Sequence, residues 1–129
     1  ATPPPAVVAA GDGAEAGKRI GLEPTPPVDL LRDNVTMTGE LCDAAIEAGV
    51  RRFVFSSTAF SMGWSHAPRG PQSFVPAYLP VDEAHTQMPT ESYGLSKEAC
   101  ERVLAAAART AKTTSFVSLR FTNIIKAEN

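Results

Sequence analysis

Arg51-Arg52-Phe53-Val54-Phe55-Ser56-Ser57 runs from a basic pair through three apolar residues to hydroxyl side chains and is closed by Thr58. The apolar run is too short for a helix of its own and shows no alternation, the pattern of a strand covered on both faces of a parallel sheet. The stretch therefore predicts a strand buried on both sides, with Arg51 and Arg52 solvated at its entry. Ser56, Ser57 and Thr58 then mark its carboxyl end, outside which open parallel sheets bind their ligands.

Upstream, Leu31, Val35, Thr38, Cys42 and Ala45 recur at three- and four-residue spacing and predict one buried helical stripe, with Asp29 as its N-cap. Gly49 falls where a left-handed C-cap is wanted, and Val50 can fold back on the last turn. Downstream, residues 59 to 91 hold Gly63, Gly70, Pro68, Pro71, Pro76, Pro80 and Pro89 and read mostly as loop, long enough to carry function. A second helix is predicted from Thr90, as N-cap, to about Arg109, burying Ala99, Cys100, Val103 and Ala107. Ser115-Phe116-Val117-Ser118-Leu119-Arg120-Phe121 is the second strand. Helix, strand, helix, strand implies a right-handed parallel crossover, hence an α/β fold: part of a Rossmann-like, doubly wound parallel sheet. Two strands do not complete such a sheet, so apolar faces are expected to await further elements.

Residues 1 to 27 are rich in proline and glycine and read as loop or linker, residues 28 to 125 as the central part of the domain, and residues 126 to 129 as a truncated tail. The chain opens on Ala1-Thr2-Pro3 without an initiating Met, so it is expected to be the central piece of a longer protein lacking the first βαβ units and the C-terminal lobe. With 12 basic against 14 acidic residues the formal charge is -2, which argues against a nucleic-acid or membrane-surface partner. No stretch is long and apolar enough to span a bilayer and no signal pattern opens the chain, so a cytoplasmic location is expected. Cys42 and Cys100 stand far apart without C-x-x-C spacing, and are read as small buried apolar residues rather than a disulfide or zinc site.

Tyr93 and Lys97 are four apart on the second helix, so they rise from one face about a turn apart. An ammonium beside a phenol favours the phenolate and makes Tyr a proton donor and acceptor near neutral pH. A hydroxyl at the end of the first strand can orient a substrate alcohol or carbonyl. Neither feature decides alone: solvated helices often carry Tyr and Lys at this spacing, and Ser and Thr commonly end strands as turn formers.

Together they resemble the NAD-dependent epimerase/dehydratase family, the extended short-chain dehydrogenases/reductases. The resemblance covers about residues 29 to 125 and rests on Asn34-Val35, the Gly49 to Thr58 run, Gly63, Val81-Asp82-Glu83, Pro89, Tyr93-Gly94-Leu95-Ser96-Lys97, Glu101 and Leu119-Arg120-Phe121-Thr122-Asn123. It implies an NAD- or NADP-dependent enzyme working on a nucleotide sugar or related hydroxyl or carbonyl substrate. Thr58 would be the catalytic Ser/Thr, Tyr93 the general acid/base, and Lys97 the residue that binds the nicotinamide ribose and lowers the Tyr pKa. Ser56 and Ser57 would line the nicotinamide pocket, Thr122 would touch the carboxamide side, and Asn123 would hold a sugar-nucleotide diphosphate. Asn34 matches a cofactor-side Asn that is at least as often structural. The resemblance implies no metal and leaves open a homodimer of the full-length protein. It also leaves open a steroid- or flavonoid-type reductase and a non-catalytic NAD(P)-sensing relative.

The sequence departs from that pattern in two places. Phe60-Ser61-Met62 precede Gly63, and a longer loop with Trp64, His66 and Tyr78 follows, which alters the expected substrate pocket. No G-x-x-G-x-x-G opens the chain, so the pyrophosphate cradle and the NAD-versus-NADP selector lie outside it. Without them the chain itself is expected to be inactive. Asp82-Glu83-Ala84-His85 spells a helicase box, but no G-x-x-x-x-G-K-[ST] accompanies it. His66 and His85 are expected to be exposed rather than metal ligands, and Trp64 either a stacking surface or a loop anchor.

Overall fold

Two prolines start the first helix. The computed structural model describes residues 26 to 64 and 74 to 122. Within them α1 (Pro27–Glu47) has Pro26 at its N-cap and Pro27 in its first turn, where a missing N–H costs nothing. Asp29, expected as the cap, lies inside that turn and pairs with Arg32 at 2.8 Å. The C-terminus ends as the sequence implies: Gly49 adopts φ +67°, Gly49 N–H donates to Ile46 O, and Val50 N–H folds back to Ala45 O at 2.9 Å.

Strand β1 (Arg52–Thr58) leads into a 3-10 turn, Ala59–Met62, and β2 (Ser115–Phe121) pairs parallel to it, Phe53 opposite Phe116 and Thr58 opposite Phe121. Between the strands runs α2 (Ser92–Thr110), which packs over both, while α1 packs chiefly against α2. The helix is capped by Glu91, whose carboxylate accepts from the N–H groups of Tyr93 and Gly94; the expected cap, Thr90, lies one residue earlier.

Cys42, Ala45, Cys100 and Leu104 form the buried seam between the helices. Both cysteines are free, and Thr38 Oγ1 donates to Cys100 Sγ at 3.2 Å, so Cys100 takes a hydrogen bond as well as filling space. The expectation of strands covered on both faces is corrected. Pleating sends Phe53, Phe55 and Ser57, with Phe116, Ser118 and Arg120, towards the helices, whereas Val54, Val117, Leu119 and Phe121 are exposed on the other face. Among the described residues no element lies over that face. No helix among them is long and apolar enough to cross a membrane.

Candidate active site

The carboxyl end of β1 meets the first two turns of α2. Gly94 makes the approach possible: a Cβ there would stand 2.4 Å from the carbonyl oxygen of Phe60, so any larger residue would push the helix off the 3-10 turn. Gly63, at φ +107°, ends that turn, and a Cβ there would stand 2.8 Å from Met88 O.

Docking at Gly94 brings Tyr93 and Lys97 to the strand end. Phe60 meets the Tyr93 ring edge-on with centroids 6.0 Å apart. Its N–H donates to Thr58 Oγ1 at 3.3 Å, so one residue links Thr58 to Tyr93. Thr58 Oγ1 accepts in this bond, which leaves its O–H to donate elsewhere. The turn is tightened by Ser61, fully buried, whose hydroxyl donates to Thr58 O at 2.8 Å.

Lys97 is buried, only 8% exposed. Its ammonium donates to Ser56 O at 3.0 Å and stands 4.8 Å from the Phe55 ring centroid and 5.7 Å from that of Tyr93. Burial lowers its pKa, and the nearby Cys100 only partly offsets this. An ammonium carries three donors; with one on Ser56 O, two are left for a ligand.

The remaining predicted residues fall into two groups. Ser56 and Thr122 sit at the carboxyl ends of β1 and β2, Thr122 exposed, in the same region as Thr58. Ser57 and Asn34 have side chains bonded inside the protein: Ser57 Oγ donates to Glu101, and Asn34 Nδ2 donates to Ser96 Oγ at 2.9 Å, tying α1 to α2. Asn123 and His66 lie outside the described residues. His85, expected to be exposed, is buried: its Nε2 accepts from Ala77 N–H at 3.0 Å, which fixes Nδ1–H as donor to Thr86 O at 2.9 Å. Phe74 and Tyr78 flank the ring, and Trp64 stacks on Phe74 at 6.1 Å, the contact of a loop anchor. Among the described residues no cluster of His, Cys, Asp or Glu could hold a metal ion.

The sequence placed Glu101 and Arg120 in the family pattern but gave them no role. Their signal was present: Glu101 follows Lys97 by one helical turn, and the alternation of β2 puts Arg120 on the helix side with Phe116 and Ser118. Arg120 Nη2 meets Glu101 Oε2 at 2.7 Å and its Nε meets Oε1 at 3.0 Å.

The sequence matches the NAD dependent epimerase/dehydratase family over residues 4–128. It is 36% identical over 86 residues to UDP-glucose 4-epimerase of Rhizobium leguminosarum bv. trifolii, covering 67% of this chain and 23% of that protein. To the human UDP-glucose 4-epimerase it is 36% identical over 107 residues, covering 82% of this chain and 28% of that one. The structure of UDP-glucose 4-epimerase from Brucella ovis in complex with NAD aligns with TM-score 0.57 and 32% identity, over 71% of this chain and 25% of that one. The chain thus spans about a quarter of the length of these relatives. Parallel strands joined through α2, a Tyr and a Lys one turn apart at the strand end, and a match over nearly every residue lead to one assignment: the chain belongs to the NAD dependent epimerase/dehydratase family.

Proposed function

We propose that this chain carries the proton-transfer residues of an NAD-dependent enzyme of the epimerase/dehydratase type acting on a nucleotide sugar. One observation carries the reading: Lys97 is held by Ser56 O beside Tyr93, with two donors left over, at the strand end where Thr58 stands. Two convergent donors suit the vicinal hydroxyls of a nicotinamide ribose, so the residues fit NAD. Bound NAD would supply the acceptor and donor of hydride for the substrate carbon.

The chain's own part is the proton. A phenol titrates near about 10 in water, and a cation close to its ring favours the phenolate. Tyr93 as phenolate takes the proton of the substrate hydroxyl when the carbonyl forms and returns it when the carbonyl is reduced. Thr58 donates its free O–H to the same oxygen and sets its direction. Ser56 and Thr122 line the nicotinamide side, and Asn123 holds the substrate diphosphate. The internal bonds of Ser57 and Asn34 support a bracing role for both, ahead of direct cofactor contact. Residues 28 to 125 form the central part of the dinucleotide-binding domain. The 129 residues alone are expected to turn over little, because their sequence holds no G-x-x-G-x-x-G phosphate turn and, among the described residues, nothing covers one apolar sheet face.

The test uses the complete gene product with NAD and UDP-glucose or UDP-galactose, following inversion at the sugar by proton NMR and nicotinamide reduction by absorbance. Conversion of a nucleotide sugar is expected. Failure to convert any of a panel of UDP- and TDP-hexoses, in protein shown to bind NAD, would reject the substrate class.

A further inference from the structure

One carboxylate outside the Tyr93 and Lys97 pair gathers four segments of the chain. Glu101, on α2, accepts from Ser57 Oγ on β1, from Gln87 Nε2 in the preceding loop at 3.1 Å, and from Arg120 on β2 through two nitrogens. Both charged side chains are largely buried, 11% and 20% exposed. Burial pushes the Glu101 carboxyl up, but hydrogen bonds from Arg120, Ser57 and Gln87, with the Arg120 charge, outweigh it and hold the group below its ordinary range. The carboxylate stays ionised and remains an acceptor.

We infer that Glu101 is a positioning residue, which through Ser57 fixes the strand end on which Lys97 and Thr58 depend. This rests on the function proposed above. Lys97 and Glu101 are one helical turn apart, and they hold two successive residues of β1: Lys97 the carbonyl of Ser56, Glu101 the hydroxyl of Ser57. The two bonds close a small ring between helix and strand, about one turn, 6 Å, on the helix side. With a single bond the strand end could slide along the helix; with two its register is set. Thr58 is the next residue, and its place relative to Tyr93 follows from that register. Arg120 anchors the carboxylate from the second strand, so β1 and β2 are fixed against the helix together.

The inference is tested in the complete gene product by Ser57→Ala, Glu101→Gln, the double variant and Ser57→Thr. Each is measured for kcat, for KM of the nucleotide sugar and for the acidic limb of the kcat–pH profile. Ser57→Ala changes no charge, and both Glu101 oxygens are engaged by Ser57, Gln87 and Arg120. Each single variant should lose about 10- to 100-fold in kcat with little change in KM, as for a small misplacement of reacting groups. The acidic limb should move to higher pH, because a displaced ammonium supports the Tyr93 phenolate less. The double variant should be no worse than the worse single one, and Ser57→Thr should recover most of the loss. Additive losses, or an unmoved limb with wild-type kcat in Ser57→Ala, would overturn the inference. Should Ser57→Ala not fold, Glu101→Gln, which removes the charge by which Arg120 anchors the group and puts an amide N–H among its donors, decides alone by the same limb. Tyr93→Phe is run beside them: if it leaves turnover intact, the proposed function itself falls; if it silences the enzyme, the outcome bears on Glu101 alone.

Discussion

Lys97 Nζ and the carbonyl oxygen of Ser56 are 3.0 Å apart, a contact that crosses from the second turn of a helix to the carboxyl end of a strand. The ammonium lies beside two aromatic rings, and among the described residues no carboxylate bonds to it, so one backbone acceptor and packing set its position there. Replacing Lys97 with Met keeps the length and removes the charge. The expected outcome is a loss of NAD affinity by about 10-fold or more and an acidic kcat limb moved up, since two ribose donors and the phenolate's cation both go. Calorimetric titration with NAD checks the first part; unchanged affinity would contradict the role given to the ammonium.

Gly94 yields a second prediction. An Ala there would run into the Phe60 carbonyl, which is backbone and cannot swing aside, and would also crowd the Glu91 carboxylate that caps the helix. Gly94→Ala should cost about 1–3 kcal/mol in stability, as overpacking does, and should lower kcat by separating Tyr93 from Thr58. Denaturant unfolding beside steady-state kinetics measures both. An Ala variant with wild-type stability would show that α2 does not dock on the 3-10 turn this tightly.

Glu101 makes stability depend on pH in a definite direction. Its carboxyl is held below the ordinary value of 4.5, so its stabilisation is fully present above that value and is lost as pH falls through the lower folded-state value. Thermal unfolding midpoints should therefore drop between about pH 5 and pH 3, and this part of the drop should be missing in Glu101→Gln. Glu101→Ala, which strands Arg120 without its partner, should cost roughly 2 to 4 kcal/mol at neutral pH. Equal acid sensitivity in wild type and Glu101→Gln would contradict the assignment.

His85 braces the loop that leads to α2. With Nε2 accepting from Ala77 and Nδ1 donating to Thr86, His85→Leu should free the Ala77 N–H at a cost of about 1 kcal/mol. Hydrogen exchange should speed up at Ala77 while α2 stays protected. Unchanged exchange at Ala77 would mean that the ring does not hold this loop.

Much of the fold was legible because its signals are local. The Gly49 cap, the apolar run of β1 and the helical stripe Thr38, Cys42, Ala45 each depend on neighbours in sequence, and each lies where those neighbours put it. Tyr93 and Lys97 were found for the same reason, since helical spacing alone puts them on one face. What the sequence hid depends on contacts between distant segments. Ser57 looks like Ser56 in sequence, and only pleating against α2 turns its hydroxyl to Glu101. His85 sits in a proline-rich loop that reads as exposed, yet Phe74, Tyr78 and the Ala77 amide enclose it. The unbroken run Phe53-Val54-Phe55 announced two covered faces, but Val54 is 59% exposed because no described element lies over it. Helix caps moved by one to three residues, to Pro26 and Glu91, because Pro at the first position and a long carboxylate can serve as well as Asp or Thr.

The most direct test of the central claim is Tyr93→Phe in the complete gene product, assayed for nucleotide-sugar turnover and, in parallel, for NAD affinity by calorimetry. Removing one oxygen should lower kcat by at least about 100-fold, the span of general acid–base catalysis, and leave the dissociation constant for NAD within about threefold, because Lys97 and the strand ends are untouched. Turnover within a few-fold of wild type would contradict the assignment of the proton to Tyr93.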